Sequence, residues 1–171
     1  MRKSLLIMFL LFAAGITANA QKFALIDMEY ILKNIPAYQS ASNELNQVSK
    51  QWQNEVEKLG KEAKSLYDSY QASVKTLCHA QKTKKEEEIV AKEKSAAELR
   101  RKYFGPEGEL FKKREALMQP IQDEIYEAVK AISTQKGYAV VVDRASASSI
   151  IFASPNIDIS NEVLAKLGYS N

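Results

Sequence analysis

The fold is decided by residues 45–77, whose sequence is LNQVSKQWQNEVEKLGKEAKSLYDSYQASVKTL. Apolar side chains recur there at steps of three or four, and nine steps cover 32 residues, or about 3.6 residues per step. Most other positions are Lys, Glu, Gln, Ser or Asn, so a single narrow stripe is apolar. The pattern predicts one long amphipathic helix. Its stripe consists of Leu45, Val48, Trp52, Val56, Leu59, Ala63, Leu66, Tyr70, Val74 and Leu77.

A second long helix is predicted after a short connection. Thr83-Lys84-Lys85-Glu86 has the spacing of a capping box. Apolar residues then recur at helical spacing up to Gly137, which is placed as a C-terminal cap. Because only about five residues join the two helices, we expect antiparallel neighbours. The prediction is a helical hairpin over residues 37–136, with its turn near 78–83.

Glycines interrupt both predicted helices. Gly60 lies inside the first, and Gly105-Pro106-Glu107-Gly108 cuts the second. With the turn near residue 82, Gly60 and Gly105 are expected to face each other. Paired weak points predict a hinge formed by Gly60, Gly105, Pro106 and Gly108. A simple kink without motion is the alternative, and the two interpretations have equal weight.

The chain ends have the pattern of strands. Residues 22–27 (KFALID), 138–143 (YAVVVD) and 149–153 (SIIFA) are predicted strands, the last two as an antiparallel pair. The segments 21–36 and 137–171 are therefore expected to form a β-rich body, and the fold class is α+β, mostly α. Strands this few and short leave open edges, which recruit other strands. We expect oligomerisation around a small shared barrel.

A last helix is predicted near the C-terminus. Ser160 is its expected N-cap, and Gly168 is its expected stop signal.

The N-terminus has the pattern of a cleaved signal peptide. Arg2 and Lys3 precede an apolar stretch from Leu5 to Ile16, and Ala18-Asn19-Ala20 supplies small residues for cleavage. Residues 1–20 are therefore predicted to be removed on export. Loss of the two basic residues lowers the net charge from +3 to +1. A balance this even implies no nucleic-acid partner.

The residue inventory offers little for catalysis, metal ions or cofactors. Cys78 and His79 are the only cysteine and histidine, so a nucleophilic triad or a metal cluster is poorly provided for. Asp27 and Asp143 each close a strand and are a candidate carboxylate pair, although strand-end aspartates usually act as caps. We predict no enzyme and no cofactor. An intermolecular disulfide through Cys78 is a hypothesis.

These features together resemble the OmpH/Skp family of periplasmic chaperones. The resemblance rests on the signal peptide, Phe23-Ala24-Leu25-Ile26-Asp27-Met28, the long hairpin, Tyr138-Ala139-Val140-Val141-Val142-Asp143 and Asp158-Ile159-Ser160. It implies a periplasmic homotrimer in which three coiled-coil arms project from a small β-barrel-like body. It also implies a holdase that keeps unfolded outer-membrane proteins in the cavity between the arms without ATP. The alternative is a structural coiled-coil spacer or adaptor of the cell envelope.

Charge and aromatic side chains give the candidate contacts of such arms. Residues 75–102 hold nine basic and five acidic side chains, an excess that favours acidic clients, an anionic membrane surface or the outer-membrane assembly machinery. An ordinary solvated face is the alternative. The candidates at the arm tip are Lys82, Lys84, Lys85, Arg100, Arg101 and Lys102. Tyr67 lies one place off the apolar stripe and is a candidate cavity contact, whereas Trp52 and Tyr70 are expected in the hairpin core.

Overall fold

The structure is a computed structural model that describes residues 22–147 and 149–169. Its elements are β1 (Lys22–Ile26), α1 (Met28–Lys33), α2 (Pro36–Ser73), α3 (His79–Phe104), α4 (Glu109–Lys136), β2 (Tyr138–Asp143), a 3₁₀ turn (Pro155–Ile157) and α5 (Ser160–Lys166). The predicted mostly helical chain with a few short strands is confirmed. The predicted signal peptide lies outside the described residues.

The chain divides into two compact units. The terminal unit comprises residues 22–31 and 127–169 of the described chain, and the helical unit comprises residues 32–126. The boundaries fall inside α1 and α4.

A two-stranded parallel sheet organises the terminal unit. β1 pairs with β2 so that Phe23 lies opposite Val140 and Leu25 opposite Val142. On its other side, β1 makes one bridge between Leu25 and Asp158, next to which the Ile159 N–H donates to the Leu25 carbonyl over 2.9 Å. β1 is therefore the central strand, with β2 on one side and the segment before α5 on the other.

The predicted antiparallel pair of residues 138–143 and 149–153 is wrong. β2 takes β1 as its partner, and the described residues of 149–153 belong to no strand. The physical reason lies at the end of β2, where the Ala145 N–H donates to Asp143 Oδ1 over 3.0 Å. The neighbouring N–H, that of Arg144, donates to the Ile26 carbonyl over 2.8 Å, so the end of β2 stays paired with β1, and the chain turns away after it.

Apolar side chains from several segments fill the core of the terminal unit. Val163 of α5 and Ile31 of α1 are fully buried, and Ile159 just before α5 is nearly so. The buried apolar residues of this unit are Ala24, Leu25, Ile26, Ile31, Ala128, Ile132, Ile159, Val163 and Leu164. Burial on this scale supplies the main stabilising free energy of the unit.

The predicted cap of the last helix is corrected in one respect. α5 begins at Ser160, and its first N–H donates to Asp158 Oδ1 over 2.9 Å. Asp158 is thus the capping side chain. The buried Ser160 hydroxyl instead accepts a hydrogen bond from the Asp27 N–H over 2.8 Å, because its position under β1 puts that donor within reach. Gly168 follows the helix with φ of +85°, as expected of a glycine stop.

α2 and α3 form an antiparallel pair in the helical unit. Three polar contacts cross between them: Tyr70 to Glu86, Lys92 to Glu62 over 2.8 Å, and Tyr103 to Glu55 over 2.7 Å. The midpoints of these pairs are residues 78, 77 and 79. The Lys113–Glu44 ion pair between α4 and α2 continues the same register.

The turn between α2 and α3 lies earlier than predicted. α2 ends at Ser73 and α3 begins at His79, so the connection spans residues 74–78. Cys78 is the N-cap: its sulfur accepts the Gln81 N–H, and its own N–H donates to Gln81 Oε1 over 3.1 Å. This pair forms the capping box. Thr83 lies inside α3, where its hydroxyl donates to the His79 carbonyl.

The predicted opposition of Gly60 and Gly105 is wrong for the same reason. With the symmetry point near residue 78, Gly60 lies across from Ala96, and the two line one shallow groove. Gly105 lies at the level of Trp52, whose ring stacks on that of Tyr103. α2 runs unbroken through Gly60, whereas the predicted cut at 105–108 is present as the gap between α3 and α4.

Candidate functional site

The two strand-end aspartates act as caps. Asp143 Oδ1 accepts from the Met28 N–H over 3.0 Å, and Asp27 Oδ1 accepts from the Tyr30 N–H over 2.8 Å. Burial opposes ionisation of Asp143, but hydrogen bonds from the Met28, Ala145 and Ser146 groups outweigh it and lower the pKa of this carboxyl. Both carboxylates accept backbone N–H groups and so hold the chain at the sheet end.

Arg144 joins this cap into a network within the terminal unit. Its guanidinium donates to Asp27 Oδ2 over 2.9 Å and lies 3.5 Å from Asp158 Oδ2. The network ties the end of β1 to the segment before α5. Among the described residues, no group of three or more His, Cys, Asp or Glu side chains is arranged to hold a metal ion.

The six basic candidates fall into two separate groups on α3. Lys82, Lys84 and Lys85 lie in its first two turns, next to the connection. Arg100, Arg101 and Lys102 lie in its last two turns, and the 15 residues from Lys85 to Arg100 correspond to about 22 Å along the helix axis. The second group is therefore not at the tip of the helix pair, because that stretch of α3 leads to the gap before α4.

The aromatic candidates divide as their spacing predicts. Tyr70 is buried, and Trp52 stacks on Tyr103 with ring centroids 4.6 Å apart. Both lie between the helices. Tyr67 is 49% exposed and lines the shallow groove together with Gly60, Ala63, Lys64, Glu93 and Ala96. Its ring is thus available to a binding partner.

The 105–108 segment is closely packed against its own backbone. A Cβ at Gly105 would lie 2.4 Å from the Arg101 carbonyl oxygen, and one at Gly108 would lie 2.7 Å from the Tyr103 carbonyl oxygen. The Gly108 N–H also donates to the Gly105 carbonyl over 2.9 Å. These contacts favour a fixed bend. A hinge here stays a prediction, which hydrogen exchange across residues 103–109 tests.

The terminal unit exposes apolar side chains that the sequence patterns assigned to strands. Ile151 is 100% and Phe152 84% exposed. The register partners Phe23 and Val140 are also exposed. The exposure of Ile151 and Phe152 was not predicted, because a strand over 149–153 would have been paired and half-buried. A run of β-branched and aromatic residues beside Pro155 was the available signal.

Cys78 carries a free, exposed thiol. No helix in the described part of the chain combines the length and apolarity that crossing a bilayer requires.

The comparisons with known proteins agree over nearly the whole described chain. A structure of an OmpH-like outer membrane chaperone from Caulobacter crescentus CB15 shares the fold, with a TM-score of 0.67 at 13% identity, covering 86% of this chain and 83% of that one. The chaperone protein Skp of Yersinia enterocolitica is 23% identical over 157 residues, 91% of each chain. The chaperone protein Skp of Photorhabdus luminescens is 24% identical over 167 residues, 92% of each chain.

The family itself is settled by a match to a whole-family pattern. The model of the family described as outer membrane protein (OmpH-like) matches residues 22–167, a range that contains every helix and strand named above. The chain belongs to the OmpH-like outer membrane protein family.

Proposed function

We propose that the protein is a periplasmic chaperone that holds unfolded outer-membrane proteins and prevents their aggregation without ATP. The observation that carries this proposal is the full-length likeness to two Skp chaperones, each aligned over more than nine-tenths of both chains. The fold adds support, since two long paired helices with a thin apolar stripe present much polar surface and little core. A holdase needs weak and dispersed contacts with its client, and a long surface of this kind can offer them.

The proposal includes self-association into a homotrimer with a barrel-like body. Ile151 and Phe152 are nearly fully exposed, and the second edge of β2 makes no ladder with the described residues. Exposed apolar side chains and an open strand edge are each typical of an interface. Sedimentation equilibrium of residues 21–171 at micromolar concentration is expected to give three times the monomer mass. A stable monomer would contradict this part.

The proposed client contacts are Tyr67 and the two basic groups on α3. Tyr67 is exposed beside the shallow groove, and aromatic rings contribute contact area at low entropic cost. The basic groups, Lys82/Lys84/Lys85 and Arg100/Arg101/Lys102, would raise the capture rate of acidic client segments or of an anionic membrane surface.

The decisive experiment measures capture directly. A urea-unfolded outer-membrane β-barrel protein is diluted into buffer without nucleotide, and light scattering is followed with and without the purified protein. We expect scattering to be suppressed at about one oligomer per client. Unchanged scattering would contradict the holdase function whatever the oligomeric state.

Charge reversal tests the basic groups separately. Lys82, Lys84 and Lys85 are changed to Glu in one variant, and Arg100, Arg101 and Lys102 in another, so that each variant controls for the added charge of the other. We expect each to slow capture several-fold at low salt and to flatten its salt dependence, because screening acts only on the charges present. Wild-type rates and salt dependence in both variants would exclude steering by these groups.

A structural spacer is the second candidate function. The observation that favours it is the unbroken course of α2 through Gly60, since a spacer requires stiffness. The two candidates differ in the scattering assay, where a spacer leaves client aggregation unchanged.

A further inference from the structure

We infer that the helix pair α2–α3 is closed by a ladder of cross-helix bonds that all end on glutamates, so that the pair opens in acid. The carboxylate ladder is defined as Glu55, Glu62 and Glu86 with their partners Tyr103, Lys92 and Tyr70. This is a property of the helix pair, and it holds whether or not the chain captures clients.

Few apolar side chains are fully buried between α2 and α3. Among the residues of α3, only Ile89 is buried. In the part of α2 that runs beside α3, two residues are buried, Ala63 and Tyr70. Tyr70 carries a hydroxyl. Much of the remaining apolar stripe, including Val56, Leu59 and Leu99, is only half-buried. The polar contacts across the pair therefore add an appreciable share of the free energy that holds it closed.

The polar contacts occur at three levels along the pair, and the glutamate belongs to α2 at two levels and to α3 at the third. Each bond joins different helices, so each one specifies register as well as proximity. By contrast, Lys61–Glu57, Lys64–Asp68 and Lys94–Glu98 join neighbours on one helix and are largely exposed, so they hold nothing across the pair.

The bonds of the ladder also shift the pKa values of the groups that form them. The Tyr103 hydroxyl, followed by Gln51, lowers the pKa of Glu55, with Lys102 as the nearby cation. The Lys92 ammonium lowers the pKa of Glu62, with Lys58 also nearby. On the other side of the bonds, Glu86 raises the pKa of Tyr70, beside which Tyr67 lies, and Glu55 raises that of Tyr103, near Glu109.

The direction of the pH dependence follows from these signs. A carboxyl whose folded pKa is lowered stabilises the fold fully above its unfolded pKa of about 4.3, and this contribution is lost as the pH falls through the folded pKa. A tyrosine whose folded pKa is raised stabilises the fold below about pH 10, and its contribution is lost at higher pH. The ladder is therefore closed between these limits and opens first on the acid side.

The experiment uses distance measurement across the pair. Spin labels are placed on Ser69→Cys of α2 and Glu88→Cys of α3, two exposed positions at one level of the pair, in a Cys78→Ser background of the whole protein. Double electron–electron resonance is recorded from pH 7 to pH 3. We expect a narrow distance distribution at pH 7 that broadens to longer distances as the pH falls below about 4.3.

Isosteric variants identify the ladder as the cause. The triple variant Glu55→Gln, Glu62→Gln and Glu86→Gln is expected to show the broad distribution already at pH 7. The matched control is Glu57→Gln, Asp68→Asn and Glu98→Gln, which removes the same charge from the same two helices and is expected to behave as wild type. A narrow wild-type distribution down to pH 3, or equal broadening in both triple variants, would overturn the inference.

A milder variant guards against loss of folding in the triple variant. Tyr103→Phe keeps the ring that stacks on Trp52 and removes only the hydroxyl that Glu55 accepts from. We expect its acid opening to move to higher pH by a few tenths of a unit, with unchanged helical circular dichroism at pH 7. An unmoved acid transition in this variant would contradict the role of the Tyr103–Glu55 bond.

Discussion

At the scale of single residues, the three glycines of the helical unit have opposite roles. Gly60 has open space where a Cβ would be, and its φ is helical, whereas a Cβ at Gly105 or Gly108 would overlap backbone atoms. Gly105→Ala and Gly108→Ala are each expected to destabilise the protein by about 1–3 kcal/mol. Gly60→Ala is the control and is expected to stabilise it by roughly 0.5–1 kcal/mol. Urea unfolding measures all three, and equal losses would contradict this assignment.

The sequence located these glycines but not their partners. A Gly-Pro-Glu-Gly run predicts a helix break by backbone chemistry alone, and the gap between α3 and α4 is where it was expected. Cross-helix partners depend on the position of the turn, which moved from near residue 82 to residues 74–78. When the centre of the turn shifts by about four residues, the residue that lies opposite a given α2 position shifts by about eight. Side-chain spacing alone does not fix such a position.

At the scale of elements, the start of α3 is set by a residue that propensity ranks poorly. Cys78 closes the capping box with Gln81, and Thr83 lies within the helix. Cys78→Ala is expected to destabilise α3 by about 1 kcal/mol, whereas Cys78→Ser keeps an acceptor and costs little. Thr83→Ala is the matched control and is expected to change stability by less than about 0.5 kcal/mol. Thermal unfolding followed by circular dichroism distinguishes the two positions.

The strands were predicted in place but not in pairing. Residues 22–26 and 138–143 form strands as their β-branched and apolar residues predict. Their parallel pairing joins distant parts of the chain, and no local pattern specifies it. Residues 149–153 have a similar composition but form no ladder in the described chain. A high β-propensity leads to a strand only where a neighbouring strand is available to pair with it.

At the scale of the whole molecule, self-association should contribute to stability. If exposed Ile151 and Phe152 are covered by other copies, the unfolding midpoint rises with protein concentration by mass action. Ile151→Asp together with Phe152→Asp is expected to give a monomer whose melting temperature no longer depends on concentration. Val90→Asp in α3 is the control, since Val90 is also exposed but lies in the helical unit. A concentration-independent wild-type midpoint would contradict the association.

The family fold was accessible from the sequence, whereas the candidate contacts remain predictions. The order of strand, helix pair, strand and last helix follows from periodicity and from stop signals such as Gly137, whose φ is +72°. The polar bonds between α2 and α3 were not predicted. The helical repeat of apolar residues indicates which face is buried, but it does not indicate which tyrosine and glutamate pair across the helices. Whether the basic groups of α3 meet clients depends on chemistry outside the chain.

The parallel pairing of β1 and β2 has a consequence for the time course of folding. The Met28 N–H and Asp143 that close the sheet end are 115 residues apart in sequence, whereas the bonds between α2 and α3 span 16 to 48 residues. The helix pair can therefore form before β1 meets its partner β2. Long-range closure is also the slower event. Pulse-labelled hydrogen exchange during refolding is therefore expected to protect α2 and α3 before β1.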